Sequence, residues 1–145
     1  MAAATDLLDV NVWLALAVPD HPHHPRARRY WEEEAGPQLA FCRVTSLALV
    51  RLLTQPAVMG DDPLDPGAAW TYYRDFTELK EVIVADEPPG LERYLGSWAT
   101  GSEARPRLWT DAYLAAFAQA GAFRLVTFDG DFRTFPGLRA LRLVP

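Results

Sequence analysis

The stretch LLDVNV, residues 7–12, decides the fold of this chain. It is mostly apolar and predicts a short buried strand that ends by presenting an acid, Asp9, and then an amide, Asn11. A carboxylate inside an apolar run costs free energy unless another group pairs with it. We therefore expect Asp9 at the carboxyl end of a strand in an open α/β sheet, where such sheets leave a crevice for ligands.

The composition predicts one globular domain, residues 1–145, because half of the residues are hydrophobic and can form a sizeable core. No apolar run approaches the ~18 residues of a membrane span. Residues 1–6 lack the positive region of a secretory signal. A single cysteine, Cys42, cannot form an internal disulfide, and it is typical of a small buried thiol in a reducing cytosol.

The formal net charge of −5 argues against a protein that holds nucleic acid by bulk attraction. An RNA substrate remains compatible with it, because a metal ion makes an acidic site attractive to phosphate. The basic residues are nearly all arginine, with Lys80 the only lysine, and they can be clustered.

Helical and strand patterns alternate along the chain. Strands are predicted within residues 7–12, where Asp9 closes the first one, and near 39–42, 81–85, 124–127 and 141–144. Helices are predicted over 11–17, 24–34, 47–53, 68–79, 91–98 and 111–120. Thr45-Ser46 and Thr110 are the expected caps of the third and last helices. This order predicts βαβ units, and so a mainly parallel central sheet of about five strands flanked by helices.

For each of three acids, a structural explanation competes with a functional role. Asp111 follows Thr110, so interaction with the helix dipole would suffice to explain it. Asp129 precedes Gly130, and Asp-Gly is common in turns. For Asp9 a surface cap offers no explanation, because this acid closes an apolar strand.

Together the three acids make a stronger pattern than any one alone. Asp9 ends the first strand, Asp111 opens a helix, and Asp129 ends the strand after that helix. In a right-handed parallel arrangement these positions fall on one rim of the sheet. Their mutual repulsion favours a bound divalent cation, and oxygen-only ligands favour Mg²⁺ or Mn²⁺ over zinc.

Three segments of the sequence resemble those of a known family. They are LLDVNV at 7–12, Thr110-Asp111-Ala112, and LVTFDGDF at 125–132 with PGL at 136–138 behind it. Together they resemble a PIN-domain ribonuclease, most closely the VapC-type toxins of bacterial toxin–antitoxin pairs. The resemblance covers nearly the whole chain in element order and length.

This resemblance implies a Mg²⁺- or Mn²⁺-dependent endoribonuclease that is cytoplasmic, usually a homodimer, and held inactive by a cognate antitoxin of the VapB type. By position, Asp9, Asp111 and Asp129 would be the metal ligands. The metal would lower the pKa of a bound water and stabilise the negative charge that grows on the scissile phosphate.

The resemblance also implies lesser roles. Asn11 and Thr110 would support the ligands, and Asp131 is an additional acid without an assigned task. PIN domains usually carry a further acid on the helix after the second strand, about where this chain has Arg51. Two explanations compete: Arg51 binds a substrate phosphate, or it pairs with the acids and keeps the empty site folded.

Other basic side chains near the acids are candidates for RNA contact. Arg105 and Arg107 immediately precede the acid that opens the last long helix and would flank the crevice. The histidines His21, His23 and His24 are interleaved with prolines, which favours a solvated loop over a zinc site.

Two alternatives to the ribonuclease stay open. A phosphatase of the haloacid-dehalogenase kind also starts with a strand that ends in Asp, but it needs a second Asp where this chain has Asn11, and Lys80 lacks a partner motif. The other is a catalytically silent PIN-like module that only binds RNA or a partner protein, an alternative that Arg51 supports.

Overall fold

A five-stranded, all-parallel sheet forms the centre of the computed structural model, which describes residues 4–145. Residues 1–3, half of the segment that lacks the positive region of a secretory signal, lie outside the described residues. The strand order is β3-β2-β1-β4-β5. The strands are β1 Thr5–Leu8, β2 Gln38–Phe41, β3 Val82–Val84, β4 Arg124–Thr127 and β5 Ala140–Arg142. The predicted parallel sheet of about five strands is confirmed.

Helices connect the strands and cover both faces of the sheet. They are α1 Val10–Ala17, α2 His24–Arg29 with a π-helical continuation Tyr30–Glu34, α3 Arg43–Leu53, α4 Pro56–Met59, α5 Pro66–Thr77, α6 Leu91–Ala99 and α7 Trp109–Gly121. Two 3₁₀ turns, Pro106–Leu108 and Gly130–Thr134, lie close to the site described below. No helix within residues 4–145 has the length and apolar character needed to cross a bilayer.

The core has two halves, one on each face of the sheet. On one face Trp13 of α1 stacks on Phe41 at a ring distance of 3.8 Å, and Tyr73 of α5 packs edge-on against Phe41. On the other face Phe117 of α7 and Leu125 of β4 belong to one buried cluster. Because both faces are covered, the central strands are largely buried and mostly apolar, as is typical of parallel sheets.

The most deeply buried acid, Asp6, belongs to the middle of β1 and not to the rim. It is fully buried and accepts two hydrogen bonds from Arg124, at 2.9 and 2.8 Å. The hydroxyl of Tyr30 and the backbone N–H of Gly36 also donate to it. These four donors offset the cost of burying the charge, so Asp6 is explained by structure alone.

Several predicted boundaries differ from the structure. α3 begins at Arg43, and Cys42 is its N-cap; Thr45 lies in the first turn, where its hydroxyl accepts a hydrogen bond from the Cys42 N–H. α7 begins at Trp109 without a side-chain cap, so the prediction that Thr110 caps it is wrong. The preceding 3₁₀ turn already leads the chain into the helix, which removes the need for a polar cap.

Candidate metal centre and active site

Asp9 lies at the rim of the sheet, directly after β1, and it caps α1. Its N–H donates to the carbonyl of Val126 in β4 at 2.9 Å. Its carboxylate Oδ1 accepts a hydrogen bond from the Val10 N–H at 2.8 Å, with the backbone of Asp9 extended as an N-cap requires. Asp9 is thus the N-cap of α1, and this cap is buried and not on the surface, so the surface cap discounted from the sequence is not what the structure shows.

The hydroxyl of Thr127, the last residue of β4, joins the residues of this rim. It donates to Asp9 Oδ2 at 2.8 Å and accepts hydrogen bonds from the Asp129 N–H at 3.0 Å and from Asn11 Nδ2 at 3.4 Å. Thr127 is buried. Asn11 Oδ1 also accepts from the Phe128 N–H, and the supporting role expected for Asn11 stays a prediction.

Sequence reasoning missed Thr127. The same argument that selects an acid after a strand would have selected a hydroxyl at the end of the neighbouring strand. Its three partners, however, are set by the pairing of β1 with β4, which places Leu8 opposite Val126.

Three carboxylates form the group that could hold a metal ion: Asp111, Asp129 and Asp131. One oxygen of each lies within 4.8 Å of the others. Asp129 follows β4, and its Oδ1 accepts from the Asp131 N–H at 2.8 Å, which closes the 3₁₀ turn. All three residues are partly exposed, so a cation and its water can reach them.

Asp9 adjoins this group without belonging to it. Both of its carboxylate oxygens accept protein hydrogen bonds, whereas Asp131, expected only as an additional acid, supplies the third oxygen of the group. The charge of Asp9 still acts on the centre, because it raises the pKa of Asp111.

Burial and neighbouring negative charge hold the pKa values of Asp9 and Asp111 above the ordinary range of an aspartate. Burial, followed by the charges of Asp9, Asp129 and Asp131, raises the pKa of Asp111 to about 6. Burial also raises the pKa of Asp9, against the lowering effect of its hydrogen bond from Thr127. A divalent cation would relieve the repulsion that raises these values, and hard carboxylate oxygens are the ligands that Mg²⁺ and Mn²⁺ prefer.

The two arginines predicted to flank the crevice behave differently. Arg107 donates to Asp131 Oδ2 at 2.9 Å and so lies at the acidic group. Arg105 donates instead to the carbonyls of Ser102 and Ala104 in its own loop. Arg107 is therefore the better placed of the two for contact with a substrate.

Arg51 and Thr110 make no side-chain hydrogen bond or ion pair within residues 4–145, and both are exposed. The explanation in which Arg51 pairs with the acids is therefore wrong. A role for Arg51 in binding phosphate stays a prediction.

The three histidines have structural partners. His21 Nδ1 accepts from the His23 N–H, His24 lies 2.7 Å from the Ala15 carbonyl, and the His23 ring stacks on Phe128. All three are partly buried, so the segment is less exposed than expected. The only cluster suited to a metal in the described part of the chain contains no histidine.

Comparisons with known proteins agree with this geometry. A family model described as the PIN domain matches residues 7–138. Ribonuclease VapC41 of Mycobacterium tuberculosis is 42% identical over 144 residues, which are 95% of this chain and 97% of that protein. Ribonuclease VapC38 of the same organism is 33% identical over 88% of this chain and 87% of its own.

Solved structures share the fold. VapC20 of Mycobacterium tuberculosis, described as a Sarcin-Ricin loop cleaving toxin, superposes with a TM-score of 0.67 at 21% identity, over 92% of this chain and 98% of that one. A chain from the structure of VapBC2 from Rickettsia felis bound to a promoter DNA fragment superposes with a TM-score of 0.67 at 14% identity. The match covers 97% of this chain and 99% of that one. The haloacid-dehalogenase alternative is wrong in view of these matches. The chain belongs to the PIN-domain family, among its VapC ribonucleases.

Proposed function

We propose that this protein is a metal-dependent endoribonuclease and the toxin of a type II toxin–antitoxin pair. The observation that carries the proposal is the convergence of Asp111, Asp129 and Asp131 at one rim, with Asp9 beside them. The 42% identity to a named ribonuclease over almost the whole chain supports the kind of reaction.

The donor set fits a hard divalent cation. Asp111, Asp129 and Asp131 would hold the cation. Asp9 would either be a further ligand or stabilise the cation by its negative charge from behind the ligands. When bound, Mg²⁺ or Mn²⁺ would supply an activated water and neutralise charge on the phosphate. Because the pKa of Asp111 is about 6, this carboxylate is ionised and able to bind a cation at neutral pH.

The remaining residues position the acids and the substrate. Thr127 fixes Asp9 relative to Asp129 through its hydroxyl, and Asn11 holds the end of β4. Arg107 is held at the rim by Asp131 and can turn toward a phosphate, since both side chains are well exposed.

A cleavage assay tests the proposal. The protein is incubated with single-stranded and structured RNA, with Mn²⁺ or Mg²⁺ and with EDTA, alongside Asp129→Asn and the control Asp61→Asn. Asp61 is an exposed acid in the turn after α4 and does not belong to the acidic group. We expect cleavage that needs metal and Asp129 and is unaffected by Asp61→Asn. Metal-independent cleavage, or cleavage by Asp129→Asn at the control rate, would contradict the proposal.

The second candidate is the catalytically silent module. The observation that favours it is Arg51, which stands where the resemblance leads us to expect an acid. RNA binding without cleavage in the same assay would select it.

The proposed partners follow from the family. Several structural neighbours are VapBC toxin–antitoxin complexes, which supports a VapB-type antitoxin as the partner of this chain. We also propose a cytoplasmic homodimer. Co-expression with the product of the small reading frame expected just upstream tests the antitoxin, and we expect loss of toxicity and a stable complex. Light scattering tests the dimer, and a toxin that stays monomeric contradicts it.

A further inference from the structure

A pocket of about 250 Å³ adjoins the acidic group between the second 3₁₀ turn and β5. Thr127 and Asp129 form the wall that it shares with the acidic group, and Phe132, Phe135 and Leu138 supply an apolar lining. Two arginines, Arg133 and Arg142, complete the lining. The pocket therefore combines an apolar surface and positive charge directly beside a proposed metal ligand.

Arg142 presents its guanidinium to this rim. It is the last residue of β5 and is in register with Thr127. A β-carbon at residue 130 would lie 3.0 Å from Arg142 Cζ and 3.1 Å from its Nη1, so the guanidinium rests against the backbone between Asp129 and Asp131. Its side chain has no hydrogen bond and no ion pair within 4.0 Å among the described residues, so its donors are available to a ligand.

Arg133 approaches the same backbone from the turn. Its Nε donates to the Gly130 carbonyl at 3.1 Å, which orients the side chain, while its terminal nitrogens have no partner within residues 4–145. Two guanidinium groups with available donors thus flank the backbone of Gly130. Paired guanidinium groups beside an apolar surface suit a phosphate attached to a sugar and a base.

We propose that this pocket binds the RNA nucleotide next to the scissile phosphate. Arg142 and Arg133 contact the phosphate of that nucleotide, and its base or ribose lies on the apolar lining of Phe132, Phe135 and Leu138. The pocket is then a substrate subsite that determines which nucleotide flanks the cut. This inference rests on the proposed ribonuclease function and adds a binding element separate from the metal ligands.

Substitution of Arg142 tests the subsite. Arg142→Gln is compared with the control Arg139→Gln, which removes the same charge at the opposite end of β5. The Arg139 side chain lies just before that strand, 3.4 Å from the Ala122 carbonyl. Binding of a labelled single-stranded RNA of mixed sequence is followed by anisotropy in EDTA over a series of KCl concentrations. Mn²⁺ affinity is measured in parallel.

We expect Arg142→Gln to bind RNA about tenfold more weakly, as the loss of one charge-assisted contact predicts. The slope of log K against log salt should fall by about 0.7 for a lost phosphate contact to a single strand. Arg139→Gln should match the parent protein within about twofold, since no pocket contact is removed. Mn²⁺ affinity should not weaken in either variant.

Gly130→Ala provides a second variant that keeps the net charge. The added methyl group would displace the Arg142 guanidinium, and we expect weaker RNA binding with Mn²⁺ affinity retained. Equal affinities and salt slopes for Arg142→Gln and Arg139→Gln would overturn the subsite. Because binding is measured without metal, that result is distinct from failure of the parent protein to cleave RNA, which would overturn the proposed function.

Discussion

At the scale of single residues, the site depends on Thr127 as much as on the acids. Its hydroxyl donates to Asp9 and accepts from Asn11 and from the Asp129 backbone, so one buried oxygen fixes the ends of two strands. Asp9 and Asp129 could be selected from the sequence, because carboxylates after apolar strands are unusual, whereas Asp131 was expected only as an additional acid. Thr127 was not identified, since threonine is an ordinary strand residue and its partners lie far away in the chain.

Thr127→Val should destabilise the protein by about 1–3 kcal/mol, because it keeps the shape of the side chain but removes the donor to Asp9 and the acceptor for the Asp129 N–H. Urea unfolding measures the change. Thr127→Ser keeps the hydroxyl and should lose less. Thr71→Val, on the exposed face of α5, is the control; an equal loss there would show that the Thr127 network contributes nothing.

Asp111 makes metal binding dependent on pH. Its pKa of about 6 means that protonation competes with the cation as the pH falls from 7 to 5, so Mn²⁺ affinity should decrease over that interval. Calorimetric titration at several pH values measures it. A pH-independent affinity would remove Asp111 from the ligand set.

Metal affinity decreases as the pH falls, but the folding stability of the metal-free protein increases as the pH falls. The folded-state pKa of Asp111 is raised above the unfolded value, so the folded state binds more protons and loses stability as the pH rises from about 4 through about 6. Asp111→Asn should therefore stabilise the metal-free protein at pH 7 by about 1 kcal/mol, allowing for the partial exposure of the group. Destabilisation in urea unfolding would contradict this.

At the scale of secondary-structure elements, pattern reasoning succeeded where one periodicity dominates and failed at the junctions. β4 was predicted with the observed bounds, Arg124–Thr127, because its apolar run lies between clear breakers. The start of α3 was misplaced because Cys42 acts as its N-cap, an uncommon choice. The pocket between the second 3₁₀ turn and β5 was not predictable, since it depends on how two segments pack.

The Asp6 pair on β1 shows that a buried acid can be structural. Asp6→Asn should destabilise the protein by about 2–4 kcal/mol, because Arg124 loses its charged partner in the interior. It should leave Mn²⁺ affinity unchanged. Arg28→Gln, which breaks an exposed pair with Glu32, should cost less than about 1 kcal/mol. Equal losses in thermal unfolding would show that burial of the pair is unimportant.

At the scale of the whole molecule, an acidic protein places three arginines beside its acidic rim. The net charge is −5, yet Arg107, Arg133 and Arg142 all lie around the turn that carries Asp129 and Asp131. Once a divalent cation offsets the charge of the rim acids, these arginines would attract a polyanion locally. This explains why net charge alone did not decide whether RNA is the substrate.

The central claim is that the acids at the rim share one divalent cation, and thermal unfolding with and without Mn²⁺ tests it most directly. A ligand that binds only the folded state at one hundred times its Kd stabilises by about 2.7 kcal/mol. We predict that Mn²⁺ raises the Tm of the parent protein and of Asp61→Asn by the same amount and leaves that of Asp129→Asn unchanged. An equal rise in Asp129→Asn, or no rise in the parent protein, would contradict the account.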